Sequence, residues 1–226
     1  MATTLPVVES FHSIQGEGAH AGRSAFFIRL AQCNVGCEWC DTKESWSSIS
    51  HPKKTIDSLV QETTIAKSKG ASFLVITGGE PLHHNLNPLC NAIKNNINSC
   101  GDNAIPIHLE TSGVHHMSGA PDWITLSPKR HFPPKEELLE ACQEIKVIIH
   151  SKEDILFAEE MAHRSIHAKK NAYKSRVSTK QSLIKPLLFL QPGWGHSMGQ
   201  KLAIEYVIKN PQWRLSLQTH KWLAID

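Results

Sequence analysis

Long apolar runs are missing from this chain. No stretch of its 226 residues approaches the roughly 18 apolar residues of a membrane span, and Leu187-Leu188-Phe189-Leu190 is only a short one. The opening residues, Met1-Ala2-Thr3-Thr4-Leu5-Pro6, lack the basic and apolar regions of a signal peptide. A soluble, cytoplasmic protein is therefore expected. Charge of one sign is also scarce: 24 Lys plus Arg against 21 Asp plus Glu leave +3. That excess is too small for a dedicated nucleic-acid binder or a polybasic membrane anchor. Internal repeats and low-complexity segments are absent as well. Hydrophobic residues at 40% and charged residues at 20% allow a sizeable core and exclude wholesale disorder.

What is present is an alternation of short β-rich runs and helical patterns. Candidate strands are residues 25–31, 72–77, 105–110, 123–127, 144–150, 187–191 and 214–219. Most are nearly continuous apolar runs, as expected for parallel strands covered on both faces. A helix is predicted over 56–69, with Ile56, Leu59, Val60, Thr63 and Ala66 on its inner stripe and Gly70 as its stop. Residues 86–97, 152–162 and 198–209 read as further helices. This alternation predicts an α/β fold with a mostly parallel sheet. Seven strands fall short of a complete eight-unit barrel, so a partial, open TIM-type barrel is expected. One domain over 1–226 accommodates it, with an inserted basic stretch at 163–185. That stretch carries Arg164, Lys169, Lys170, Lys174, Arg176, Lys180 and Lys185 with no Asp or Glu. Tyr173 is its only aromatic residue, so a solvated insertion is favoured over an RNA or acidic-partner surface.

Six cysteines divide unevenly. Cys90, Cys100 and Cys142 are scattered and suit core positions. Cys33, Cys37 and Cys40 share one loop directly after the first buried strand. In a reducing compartment such a cluster indicates metal or redox chemistry rather than a disulfide framework. Three thiolates can hold three corners of an iron–sulfur cubane and leave the fourth iron without a protein ligand. A structural zinc needs four closed ligands. Here it would have to recruit the distant His51, His12 or His20, so the cluster is preferred.

The cysteine loop resembles the signature of the radical S-adenosylmethionine (SAM) enzymes. Thr77-Gly78-Gly79-Glu80-Pro81, after the next strand, strengthens the resemblance. It implies a radical SAM core with a 4Fe–4S cluster whose open iron is chelated by SAM, and a 5′-deoxyadenosyl radical that abstracts a substrate hydrogen. Backbone carbonyls and the Glu80 carboxylate suit the ammonium group of the cofactor.

Upstream lies Ile14-Gln15-Gly16-Glu17-Gly18, followed by Arg29 on the first strand. A dinucleotide fingerprint is excluded, because these glycines precede a strand instead of following one. Gln15 and Glu17 offer polar groups complementary to a heterocyclic amide-and-amine edge, and Arg29 can pair a carboxylate. With Glu110-Thr111-Ser112-Gly113, Ser127-Pro128-Lys129, Gln191-Pro192-Gly193 and Gln218-Thr219-His220-Lys221, these segments resemble the 7-carboxy-7-deazaguanine synthase family of queuosine biosynthesis. They span nearly the whole chain, in order; 163–185 is the part least covered.

The resemblance implies conversion of 6-carboxy-5,6,7,8-tetrahydropterin into 7-carboxy-7-deazaguanine with loss of ammonia, SAM being regenerated. By position it implies that Ile14, Gln15, Gly16, Arg29 and Thr77 contact substrate. Glu17 and His220 are added, and Asp226 closes over the pterin amine edge. Trp39, Cys40, Asp41, Gly79, Ser127, Pro128, Lys129, Gln191, Pro192, Gly193 and Trp194 are implied to surround SAM. Thr42 is implied to reach a magnesium ion, a hard cation suited to hydroxyl and carbonyl oxygens. A flavodoxin or ferredoxin-type reductant and a homodimer are further family expectations. Two features depart from the pattern. Gln32 stands where radical enzymes often have Gly, and the His83-His84 and His115-His116 pairs have no carboxylate or cysteine neighbours arranged for a metal, so they read as solvated or loop histidines. The rival functions are an activase of glycyl-radical enzymes, which needs neither the Gln15–Gly18 loop nor Thr42, and a non-catalytic zinc or iron–sulfur module.

Overall fold

The computed structural model describes residues 3–97, 104–175 and 185–225. The strands are β1 (Thr4–Ile14), β2 (Ser24–Leu30), β3 (Lys53–Thr55), β4 (Leu74–Gly78), β5 (Ile107–Thr111), β6 (Trp123–Leu126), β7 (Glu144–Ile149), β8 (Leu187–Pro192) and β9 (Trp213–Leu215). The helices are α1 (Ile56–Ser68), α2 (Asn87–Ile97), α3 (Glu136–Ala141), α4 (Lys152–Ser175), α5 (Ser197–Lys209) and α6 (Thr219–Leu223). The strands form one sheet in the order β3-β1-β2-β4-β5-β6-β7-β8-β9. From β2 to β9 all neighbours are parallel, whereas β1 runs antiparallel to both β2 and β3. The two edge strands, β3 and β9, do not pair. The result is the expected open, partial barrel with two additional antiparallel strands.

All seven predicted strands are present, and β1 and β3 were not among them. Pro6 and the polar run Glu9, Ser10, His12 and Ser13 hide the β1 pattern. The strand tolerates Pro6 because its carbonyl still accepts from Ala31 N at 3.0 Å. The helix predicted to end at Ala162 continues to Ser175, so the first half of the basic stretch is not a solvated insertion. Met161, Ala162, Ser165 and Ala168 are buried at helical spacing. Ser165 Oγ donates to Leu139 O at 2.6 Å, and Lys169 Nζ donates to Glu140 O at 2.6 Å. Arg164 pairs with Glu136 at 3.0 Å. Charge counting missed this stripe of small residues docked on α3, itself absent from the predicted helices. Residues 176–184 lie outside the described residues, as does Cys100; Cys90 and Cys142 are buried as expected. The last predicted strand stops at Leu215, and Thr219–Leu223 is helical instead.

The two faces of the parallel strands have different compositions. Outward residues (Ile28, Leu30, Leu74, Ile76, Ile107, Leu109, Ile124, Leu126, Ile145, Val147, Leu188 and Leu190) form one core with Leu59, Leu89, Ile93, Leu138, Met161 and Ala203 of the helices. Inward residues are apolar mainly near the N-terminal strand ends, where Ala25, Phe27, Phe73 and Val75 cluster and His108 stacks on Phe73 at 4.2 Å. Toward the C-terminal ends they are mostly polar, with Ile148 an apolar residue on the cavity wall. Helix α1 shows the local logic of the covering layer. The Thr55 hydroxyl caps it by accepting from Ser58 N at 3.2 Å. Gly70 follows its end at φ +100°, a conformation that favours glycine.

Candidate active site

A cavity of about 750 Å³ opens at the C-terminal ends of the strands, where parallel α/β folds gather their sites because loops rather than helices flank that end. The cysteine loop forms one wall, with Cys33, Cys37 and Cys40 all on the cavity. Cys37 packs with Val35 and Val114, and Cys33 and Cys40 lie against that group. Burial raises the Cys33 and Cys37 thiols above their ordinary range; at Cys37 the Lys129 ammonium partly offsets this. Thiols so placed become thiolates only with a cationic group such as a metal cluster beside them. Among the described residues no group of three or more His, Cys, Asp or Glu is arranged around a single metal ion. The cavity wall gathers three thiols from one loop, the number of protein ligands that a 4Fe–4S cluster with one open iron uses. The zinc alternatives are also engaged elsewhere: His51 with Glu44 O at 2.8 Å, His12 with Ser24 Oγ at 2.8 Å, and His20 against His108 and Trp123.

The loop is braced by histidines. His84 Nε2 lies 2.8 Å from Ala31 O, His115 Nε2 2.9 Å from Asn34 Oδ1, and His131 Nε2 2.9 Å from Val35 O. His84 and His115 are loop residues as expected, partly buried rather than fully solvated; His116 is exposed beside Glu137. Gln32 takes φ 84°, which explains why glycine suits this position. Its backbone is clamped on both sides, N–H to Ser45 O at 2.7 Å and O to Glu80 N at 2.9 Å.

On the opposite side sits a polar floor. Gln15 Nε2 donates to Glu110 Oε1 at 2.9 Å, and Thr77 Oγ1 to Glu110 Oε2 at 3.1 Å. The Glu17 carboxylate pairs with the Lys146 ammonium. Burial opposes ionisation of Glu17, but Lys146 outweighs it and holds the carboxyl below its ordinary range. Arg29 Nε donates to Glu9 Oε1 at 2.7 Å on the cavity wall. His220, also on the wall, has its pKa lowered by burial and packs against Gly16, where a Cβ would collide with its ring. Gly16 itself, Ile14, Pro128 and Pro192 are not on the cavity wall, and Asp226 lies outside the described residues.

The remaining predicted residues divide between ligand-facing and structural positions. Glu80 is 1% exposed. Its Oε1 accepts from Leu82 N at 3.1 Å and Thr111 Oγ1 at 2.5 Å, and its Oε2 accepts from Ser112 N at 2.8 Å and from Ser112 Oγ. Both oxygens thus have partners within the protein, and Glu80 also lines the cavity. Through these bonds Glu80 ties the Gly78-Gly79 turn to the end of β5. Asp41 pairs with Lys221 of α6; burial opposes, yet Lys221 holds its carboxyl below the ordinary range. Lys129 Nζ donates to Ser127 Oγ at 2.7 Å, and burial pushes its pKa down. Gln191 Oε1 accepts from Ser216 Oγ at 2.8 Å. Trp39 lies edge-on to His131, and Trp194 edge-on to Trp222. Gly79, Gly193 and Thr42 line the cavity, with Thr42 Oγ1 3.7 Å from Cys40 Sγ.

Sequence reasoning did not nominate Glu110, Lys146, Gln218 or Lys221, all of which line the cavity. For Glu110 and Lys146 a signal existed: a charged residue inside an otherwise apolar parallel strand must find a partner or a ligand. Gln218 and Lys221 carried only their place in the Gln218–Lys221 segment of the resemblance, because they reach the site through the turn after β9.

An open, mostly parallel barrel with three cysteines at the mouth of its cavity defines a radical SAM enzyme, and the profile of the Radical SAM superfamily matches residues 28–129. The chain is 58% identical over 225 residues to 7-carboxy-7-deazaguanine synthase of Prochlorococcus marinus, covering 100% of both chains. It is 43% identical to the Synechocystis sp. enzyme of that name, over 100% of this chain and 95% of that one. Against the Escherichia coli K12 enzyme it is 34% identical, over 97% and 98%. The crystal structure of QueE from Escherichia coli superposes with a TM-score of 0.71 at 28% identity, over 95% of this chain and 93% of that one. The chain belongs to the 7-carboxy-7-deazaguanine synthase family.

Proposed function

We propose that this enzyme converts 6-carboxy-5,6,7,8-tetrahydropterin into 7-carboxy-7-deazaguanine with loss of ammonia, for queuosine and related 7-deazapurines. The observation that supports this most directly is one cavity uniting the Cys33, Cys37 and Cys40 wall with the Gln15–Glu110 and Glu17–Lys146 floor and Arg29. When bound, a 4Fe–4S cluster and SAM supply hydrogen-atom abstraction from carbon; Cys33, Cys37 and Cys40 would hold the cluster. Arg29 meets the substrate carboxylate, for which a planar cationic fork is suited. Glu17 and Glu110 accept from the amine and amide N–H groups of the pterin edge, and His220 lies beside them. Thr42 offers a hydroxyl oxygen to a magnesium ion shared with the substrate, a hard cation that takes oxygen ligands. The backbone of Gly79 and Gly193, with Ser127, Gln191, Trp39 and Trp194, borders the SAM side.

The reading extends to context. Among the described residues no helix is long and apolar enough to cross a membrane, which accords with work in the cytoplasm. A flavodoxin or ferredoxin-type protein supplies the electron, two copies associate, and residues 1–226 act as one domain. The test is an anaerobic assay of the reconstituted enzyme with SAM, reductant, magnesium and the carboxypterin, read by mass spectrometry. Formation of 7-carboxy-7-deazaguanine is expected. 5′-Deoxyadenosine without it would overturn the substrate and keep the radical class.

A further inference from the structure

Lys146, Glu17 and Glu110 meet on the floor of the cavity, with the Glu144 carboxyl beneath the β1–β2 loop beside them. The Lys146 side chain is 5% exposed. Its ammonium donates to Glu17 Oε2, and Glu110 and Glu144 are the other carboxylates acting on it. A buried lysine is costly, and an apolar residue would fill a barrel interior with less desolvation. Its neighbours on the strand, Ile145 and Val147, are locked into the outer core, so Lys146 has a fixed origin.

The backbone that presents Glu17 is equally fixed. Gly16 O accepts from Thr219 N at 3.0 Å and Thr219 Oγ1 at 2.9 Å. Gly18 N donates to Ser216 Oγ at 3.0 Å, and Ala19 N to Glu144 Oε2 at 3.0 Å. Gly18 sits at φ +65° with the Glu144 carboxylate where a Cβ would be. The loop therefore spans from the β1–β2 hairpin to the segment after β9 and drops Glu17 into the barrel. Its backbone is set by Thr219, Ser216 and Glu144, and the end of its side chain is held by the ion pair with Lys146, with Gln218 as a further hydrogen-bond partner and His220 nearby.

We propose that Lys146 is the positioning residue of the substrate half of the site: it holds the Glu17 carboxylate in place as a preset acceptor for the N–H edge of the pterin. It acts through Glu17 and does not itself bind substrate. Its ammonium, stabilised against burial chiefly by Glu17 and then by Glu110, stays protonated and does not serve as a base. The inference rests on the proposed pterin substrate, and two separate measurements divide the failures.

The experiment is a double-mutant cycle on the anaerobically reconstituted enzyme with SAM and without reductant, reading the dissociation constant of 6-carboxytetrahydropterin by calorimetry. Lys146→Met and Glu17→Gln are each expected to weaken binding by about 10- to 100-fold, and the double variant by no more than about threefold beyond the weaker-binding single. Iron and sulfide content and SAM binding are expected to stay at wild-type levels in all three. Multiplication of the two single effects would show that Lys146 acts independently of Glu17 and would overturn the proposal, as would wild-type affinity in Lys146→Met. Lys146→Arg keeps the question open to test should the neutral variant lose its cluster: it retains charge and donors and is expected to bind within about fivefold of wild type. A loss in the arginine variant as large as that in Glu17→Gln would overturn the proposal. Failure of the wild-type enzyme to bind or turn over the pterin would instead sink the substrate reading.

Discussion

Ile28 and Arg29 are adjacent on β2, yet they belong to different parts of the molecule. Ile28 is fully buried in the layer between sheet and helices, while Arg29 lies on the cavity wall with its Nε on Glu9. The same division runs along β7, with Ile145 and Val147 outward and Glu144 and Lys146 inward. The outward face contributes hydrophobic stabilisation, which is nondirectional and tolerant. The inward face holds buried charge that destabilises unless every group is partnered. One strand thus carries folding energy on one side and chemistry on the other, separated by the period-2 alternation of side chains.

That separation can be broken by experiment. Ile28→Ala removes a packed side chain from the outer core and is expected to lower unfolding free energy by about 2–5 kcal/mol. Denaturant titration checks it, and folded enzyme should retain substrate affinity; a large loss of affinity in the folded fraction would contradict independent faces.

The next effect is electrostatic. Burial pushes the Glu144 carboxyl up to about 7 from an ordinary value of 4.5. Lys146 and the Ala19 N–H oppose that rise, while Glu110 and Glu17 add to it. Folded protein therefore keeps a proton that the unfolded chain has already released, and stability from this group falls as pH rises from about 4.5 through 7. Glu144→Gln mimics the protonated form. It is expected to match wild type at pH 5 and exceed it at pH 8 by something on the order of 1–3 kcal/mol. Equal stabilities at both pH values would show that Glu144 is ionised in the fold.

The smallest expected effect lies on the cavity wall. Arg29→Ala should raise the dissociation constant for the carboxypterin about tenfold, with iron content and melting temperature unchanged. Loss of the cluster in this variant would mean that Arg29 supports the loop rather than the ligand.

The fold was legible wherever a signal was local. Strands β4 to β8 announce themselves as apolar runs, and α1 shows its inner stripe and, in Gly70, its stop. The basic stretch misled, because the charges of Arg164 and Lys169 mask a buried stripe of small residues at helical spacing. The cavity wall was legible through Cys33, Cys37, Cys40 and the Gly78-Gly79 turn, whose spacing along one loop and one strand end is itself the signal. Glu80 showed what residue type leaves out: on the cavity wall it also accepts four hydrogen bonds from Leu82, Thr111 and Ser112 that tie it to the frame.

What the amino-acid order settled by itself is the α/β alternation, the clustered thiols and the kinds of polar group available to a ligand, because these depend on residues close in sequence. Only the tertiary structure decided which of those groups meet. Gln15 reaches Glu110 across 95 positions and Glu17 reaches Lys146 across 129. Such pairings come from strand order and register, which set Glu110 and Lys146 inward on β5 and β7, and from the β1–β2 loop that brings Gln15 and Glu17 over them. Buried charges are tolerated only where that geometry supplies their partners.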